Sequence, residues 1–272
     1  MTELRIAPAR KHSLRSSQFD RTLLALRELV LEGAFSQGQR IPEIPLAVRL
    51  GVSRTPLRLA LEQLAHEGIV EAAASGGFLA RGFSIQDIND AIGLRGTLEG
   101  HAARLAAEKL PSADELAGMR DSVAQMSQLL RSSGPSVDLL VEYVAFNASF
   151  HAQLIDLARS PMLRRSFEHV ISLPFASPSA FVEVQARIEE SREILVIAQE
   201  HHRCILDAIA AKDTGRAESL AREHARLARR NLEIALADRS LLRLIPGGSL
   251  IQLPSERTPS RRSTPRKSND AF

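Results

Sequence analysis

The chain has 272 residues with 44% hydrophobic residues, enough for one large or two modest domains with a full core. Aromatics make up only 4%, Trp is absent and Leu and Ala predominate, which favours helices over a β-sandwich. The net charge is +3, the single Cys204 excludes an internal disulfide, and the sequence contains neither a long apolar run nor an apolar segment behind the charged N-terminus, so a cytoplasmic protein without a membrane span or secretory signal is expected.

Charge is unevenly spread. Residues 1–84 carry 11 Lys/Arg against 8 Asp/Glu, residues 85–240 carry 18 against 22, and residues 241–272 carry 6 against 2. A basic head and tail around an acidic middle suit a polyanionic partner at the ends. Residues 1–17 read as a flexible basic arm. A first helix is predicted over 18–33, with Leu23, Leu26 and Val30 on one face and Gly33 as its stop. A turn through Gly38-Gln39-Arg40-Ile41 leads to a second helix over about 43–50, and Gly51 supplies the left-handed turn after it. Ser53 or Thr55 can cap the third helix, whose Leu57, Leu61 and Leu64 form a buried stripe. Arg54 and Arg58 project from another face, where a recognition helix meets base edges or phosphates. Taken alone, that helix reads equally well as an ordinary amphipathic one with solvated arginines. Two short strands, 69–72 and 78–81, flank Ala74-Ser75-Gly76-Gly77. Three helices and a hairpin make a winged helix-turn-helix over 18–83.

The motifs Glu32-Gly33, Gly38-Gln39-Arg40-Ile41, Leu50-Gly51-Val52-Ser53-Arg54-Thr55-Pro56-Leu57-Arg58, Leu64-Ala65-His66-Glu67-Gly68 and Gly76-Gly77-Phe78-Leu79 together resemble the N-terminal domain of GntR-family transcription regulators. The resemblance implies that Ser53, Arg54, Thr55 and Arg58 contact a double-stranded operator, and that a wing tip at Gly76-Gly77 reaches the minor groove. Two places depart from the family pattern. Ile44 and Pro45 stand where charged residues are usual, and Ser75 stands where a basic residue is frequent.

The rest reads as helix. Ser84-Ile85-Gln86-Asp87 resembles a capping box opening a helix to about Lys109, and further helices are predicted over about 112–131, 137–158, 161–173, 184–211 and 214–238. The fold class is therefore mostly α: a winged helix-turn-helix followed by an all-α antiparallel bundle of six helices over 84–240. Residues 241–272, rich in Pro, Ser and Arg, read as a disordered basic tail.

Asn147 and His151 share a helix face, and His202 and His224 lie on two later helices. Three imidazoles and a side-chain oxygen on facing helices can close around a divalent cation, with Zn, Ni, Fe and Mn all admissible. Each histidine taken singly reads more readily as a surface or packing residue. The segments from Asn147 to Leu154, from His202 to Ile209 and from Ala217 to His224, with Arg95-Gly96-Thr97-Leu98-Glu99, resemble the FCD effector domain of the FadR subfamily. The resemblance implies a metal site at Asn147, His151, His202 and His224, a small organic-acid effector, and a homodimer that reads a palindrome. Asn147 departs by offering an amide where an aspartate is usual. Arg95 either meets the effector's carboxylate or pairs with Glu99, and Cys204 reads as core packing. Two alternatives stay open: the same regulator with a metal-free pocket, and a metal-dependent enzyme, for which no well-placed acid or base is evident.

Overall fold

The computed structural model describes residues 18–131 and 137–253, so the N-terminal arm read at 1–17 lies outside the described residues. Three helices come first: α1 (Gln18–Leu31), α2 (Glu43–Leu50) and α3 (Arg54–His66). Leu26 and Val30 of α1 meet Leu57, Leu61 and Leu64 of α3 in one core, all fully buried. Gly51 joins α2 to α3 at φ 64°, its N–H returned to the carbonyls of Ala47 and Val48. That left-handed backbone suits a residue without a Cβ. Ser53 sits at the N-cap of α3, but its hydroxyl makes no capping bond, unlike the expectation. The residue is exposed, so water can serve the first N–H groups of α3.

The wing pairs β1 (Val70–Ala72) with β2 (Phe78–Ala80), antiparallel, with Val70 opposite Ala80 and Ala72 opposite Phe78. Arg40, in the extended piece before α2, adds an antiparallel bridge to Leu79. A short β3 (Phe83–Ser84) then leads into α4 (Ile85–Glu108), capped by reciprocal bonds between Ser84 and Asp87.

The helical half continues with α5 (Ala117–Arg131), α6 (Val137–Leu157), α7 (Pro161–Ile171), α8 (Val182–Arg187), α9 (Glu189–Ala210) and α10 (Thr214–Ala237). Helices α4 and α10 lie very close: a Cβ on Gly96 would stand 2.8 Å from that of Ala225. The single helix expected over 184–211 is two. Ile188, at φ −113° and ψ 125°, breaks it and packs its side chain against the core. The bundle therefore has seven helices among the described residues, not six.

The disordered tail expected from 241 onward is also corrected. Residues 239–253 form two 3₁₀ turns, Arg239–Leu244 and Gly248–Leu250, and a strand β4 (Ile251–Gln252) that runs parallel to β3. Leu241, Leu242, Ile245, Leu250 and Ile251 are buried in the same core as α1 and α3. These aliphatics anchor the segment; most of the Pro, Ser and Arg of 241–272 fall in 254–272, outside the described residues. The segment thus carries the chain from the end of α10 back to α1 and the β3 linker. One apolar core joins the wing domain to this strap, to Phe175, Phe181 and Val184, and to the end of α10, while a second core fills the bundle around Phe150, Met119 and Ile205. No helix among the described residues is long and apolar enough to cross a membrane.

Candidate functional site

Two separate places carry chemistry. On the helix-turn-helix, Ser53, Arg54, Thr55 and Arg58 all stand exposed at the start of α3, because Leu57 and Leu61 take the inward face of the same turns. Arg54, Thr55 and Arg58 line a surface groove with Glu43, Leu59 and Glu62. Arg58 pairs with Glu62 at 3.6 Å, an exposed contact of little energetic weight. Gly76 and Gly77 sit at the wing tip with φ 82° and 76°. Ile44 is exposed on α2, so the departure from charge there leaves an apolar group on the surface.

Inside the bundle, α6, α9 and α10 bring three imidazoles together. His151, His202 and His224 are all buried, and one nitrogen from each lies within 4.8 Å of the others. The Nε2 atoms of His202 and His224 are 3.1 Å apart. Two imidazoles bound to one ion at ~2.1 Å would have their nitrogens about 3 Å apart, so the spacing suits a shared cation. His151 Nε2 and His224 Nδ1 are buried without a hydrogen-bond partner among the described residues. Burial and the neighbouring imidazoles push His202 and His224 well below the ordinary histidine range, which keeps both neutral with lone pairs available. Asn147, one turn before His151 and buried, donates its amide N–H to Ser179 Oγ at 3.0 Å. That bond leaves the amide oxygen as the atom able to face a cation. The donor set fits a divalent metal.

The imidazoles are oriented by groups that sequence reasoning did not single out for this role. Glu99 Oε1 lies 2.7 Å from His151 Nδ1, while its Oε2 lies 3.6 Å from Arg95 Nε. Burial raises the Glu99 carboxyl, but His151 and Arg95 outweigh it and hold the group below its usual range. Gln199 Oε1 lies 3.1 Å from His202 Nδ1, and its own amide N–H groups bind Val123 O and Ser127 Oγ at 2.8 and 2.9 Å. With the amide so fixed, His202 Nδ1 is the donor and Nε2 carries the lone pair. Glu99 was visible only as a neighbour of Arg95, because its contact with His151 joins α4 to α6. Gln199 had a local signal, three residues before His202 on one helix face.

Arg95 meets one of the two expectations made of it, the pairing with Glu99. It also lines a narrow cavity together with Asn147 and His224. Its guanidinium is buried, with Nη1 and Nη2 donating to the carbonyls of Ala176 and Ala225 at 3.1 and 3.4 Å. Burial lowers its pKa and Glu99 opposes that effect. Tyr143, Gln185 and Asn231 add polar groups to the cavity wall, and burial pushes the Tyr143 phenol up. His201 is only half-buried and stays outside the three-histidine group, its ring 6.2 Å from that of His224. Cys204 is not core packing. It lies half-buried beside Glu200 and Arg203, on the charged side of α9.

Comparison with known proteins agrees across both halves. Residues 20–79 match the family model for bacterial regulatory proteins of the gntR family, and residues 90–227 match that for the FCD domain. The Nta operon transcriptional regulator of Aminobacter aminovorans is 33% identical over 136 residues, which are 50% of this chain and 61% of that protein. The chain thus spans about three fifths of that relative's length. A Glc operon transcriptional activator of Escherichia coli (strain K12) is 27% identical over 236 residues, 80% of this chain and 91% of that one. Among solved structures, E. coli McbR/YncC superposes with a TM-score of 0.56 at 20% identity, covering 81% of this chain and 98% of that chain, which speaks to the fold.

Proposed function

The chain belongs to the gntR family of bacterial regulatory proteins, with an FCD domain as its helical half, and from that premise we propose how this transcription regulator is switched. It acts in the cytoplasm as a homodimer on a palindromic operator, and a small carboxylate-type metabolite held in the buried histidine pocket controls it. The observation that carries this reading is the convergence of His151, His202 and His224, two of them aligned by Glu99 and Gln199, beside a cavity that Arg95 also lines.

In this account Asn147, His151, His202 and His224 hold a divalent metal, and Arg95 offers a guanidinium to the effector's carboxylate. A bound ion would supply a Lewis-acidic positive centre, and an anionic ligand would balance the charge that a neutral Asn147 leaves uncompensated. Ser53, Arg54, Thr55 and Arg58 enter the major groove while Gly76 and Gly77 lead the wing. The effector shifts the operator equilibrium by as much as its affinities for the two arrangements of the dimer differ. Helix α10 is suited to couple them, because it carries His224 at one point and runs into the strap that meets α1 and β3 at another.

A metal-free pocket is the second reading, favoured by one feature: 3.1 Å between the His202 and His224 Nε2 atoms also suits an N–H···N hydrogen bond. The test is a binding titration. A duplex selected by the protein from a random-sequence pool is titrated with metal-loaded protein, with and without a panel of small mono- and dicarboxylates. At least one carboxylate is expected to change operator affinity several-fold, and a flat response across the panel would remove the switch.

A further inference from the structure

We propose, on the DNA-binding reading above, that Arg40 supplies the wing with the cation that its own tip sequence lacks. The turn Ala73-Ala74-Ser75-Gly76-Gly77 contains no charged residue. It is closed by Ala73 N–H to Gly77 O at 2.9 Å and by Gly76 N–H to Ala73 O at 2.8 Å. Arg40 comes from outside the hairpin. Its backbone bridges Leu79 on β2, and the flanking bonds from Ile41 N–H to Phe78 O and from Ala80 N–H to Gln39 O, both 2.9 Å, hold the 38–41 piece alongside β2.

From that register the side chain runs along the hairpin to its tip. Nη1 donates to Ser75 Oγ at 3.0 Å, and Nη2 donates to the Gly76 carbonyl. Both partners are neutral, so neither of them offsets the guanidinium's charge. Arg58 and Arg27, by contrast, face Glu62 and Glu67. Arg40 is exposed, so this charge faces solvent. Gly77 has a part in the arrangement: a Cβ there would stand 2.9 Å from Arg40 Nη2, and the absence of one leaves the guanidinium its place on the turn.

The result is a cation fixed at the leading edge of the wing by two hydrogen bonds, with little rotamer freedom left to lose on binding. The negative potential of a duplex backbone, deepest along a narrow minor groove, attracts such a group. Ser75, which stands where a basic residue is frequent, therefore has a different task. It receives Arg40 and anchors a charge delivered from the segment beside β2.

The experiment measures affinity against salt for a duplex selected by the wild-type protein from a random pool. The variants are Arg40→Gln, which is neutral and polar, and Arg40→Lys, which keeps the charge. Arg40→Gln is expected to bind about tenfold more weakly, and its slope of log affinity against log salt is expected to fall by about 0.9 per protomer. Arg40→Lys is expected to keep the wild-type slope. Melting curves check that both variants fold. A wild-type slope in Arg40→Gln, or an equal loss of slope in Arg40→Lys, would overturn the proposal. A wild-type protein that selects no duplex overturns the DNA-binding reading itself, whereas selection that depends on Arg54 with an unchanged Arg40→Gln slope overturns the role of Arg40 alone.

Discussion

Replacing Glu99 by Gln removes one charge and almost no volume from the most connected point of the buried site. In the native protein this carboxylate serves Arg95 at 3.6 Å and His151 at 2.7 Å, and both its side chain and that of Arg95 are almost wholly shielded from solvent. After the change the Arg95 guanidinium keeps its bonds to the Ala176 and Ala225 carbonyls but loses its counter-charge. Breaking a buried pair by neutralising one partner costs about 3–5 kcal/mol, because the other charge remains desolvated. For a chain of this size that corresponds to a melting midpoint lower by roughly 6–20 °C, at about 2–4 °C per kcal/mol, with the two carbonyl contacts favouring the lower end. The second consequence concerns the metal. An amide orients His151 but does not raise its basicity as a carboxylate does, and loss of such a supporting group weakens metal binding by about 10–100-fold. Calorimetry of the metal-free protein reads the first effect, and competition against a chromogenic chelator reads the second. If Glu99→Gln melts within about 2 °C of wild type and binds metal as tightly, Glu99 holds neither group and this account of the site is wrong.

Three further outcomes follow from single features. Arg54→Ala should weaken specific duplex binding by about 1–3 kcal/mol if it reads a guanine, measured by anisotropy against the selected duplex, and an unchanged affinity would remove that role. Leu250→Ala, at a fully buried strap position, should cost about 2–5 kcal/mol in urea unfolding, whereas a solvated tail residue would cost under about 0.5. Gly51→Ala meets no atom within 4 Å of its new Cβ but must hold φ 64°, so a loss of about 1–2 kcal/mol is expected from backbone strain alone, and a neutral result in the same unfolding assay would contradict it.

What could be read in the sequence was what local chemistry encodes. Gly51, the capping pair Ser84 and Asp87, and the leucine spacing of α3 place their elements to within a residue or two, because turns, caps and helix faces depend on neighbours a few positions apart. The three histidines could be grouped from their facing helices, but each taken singly read as a surface or packing residue until the resemblance weighed the group. The break at Ile188 had no Gly or Pro to announce it; a β-branched residue took an extended backbone there, and its side chain packs against the core. The strap was hidden by averaging, because five buried aliphatics before Leu253 share a window with the polar residues after it. Glu99 and Arg40 act across the fold, on His151 and on the wing tip, and no spacing rule connects residues that only tertiary structure brings together.

The central claim is that the buried histidines hold a metal that organises the effector pocket. It is tested most directly by elemental mass spectrometry of full-length protein purified without a histidine tag or chelator, with His202→Ala as the control and circular dichroism to check that the control is folded. The account predicts close to one transition-metal ion per chain in the wild type and loss of that ion in His202→Ala. A folded wild-type protein that arrives empty and takes up no added Zn, Ni, Fe or Mn would contradict it, and Asn147, Arg95 and the three imidazoles would then act on the ligand directly as hydrogen-bonding groups.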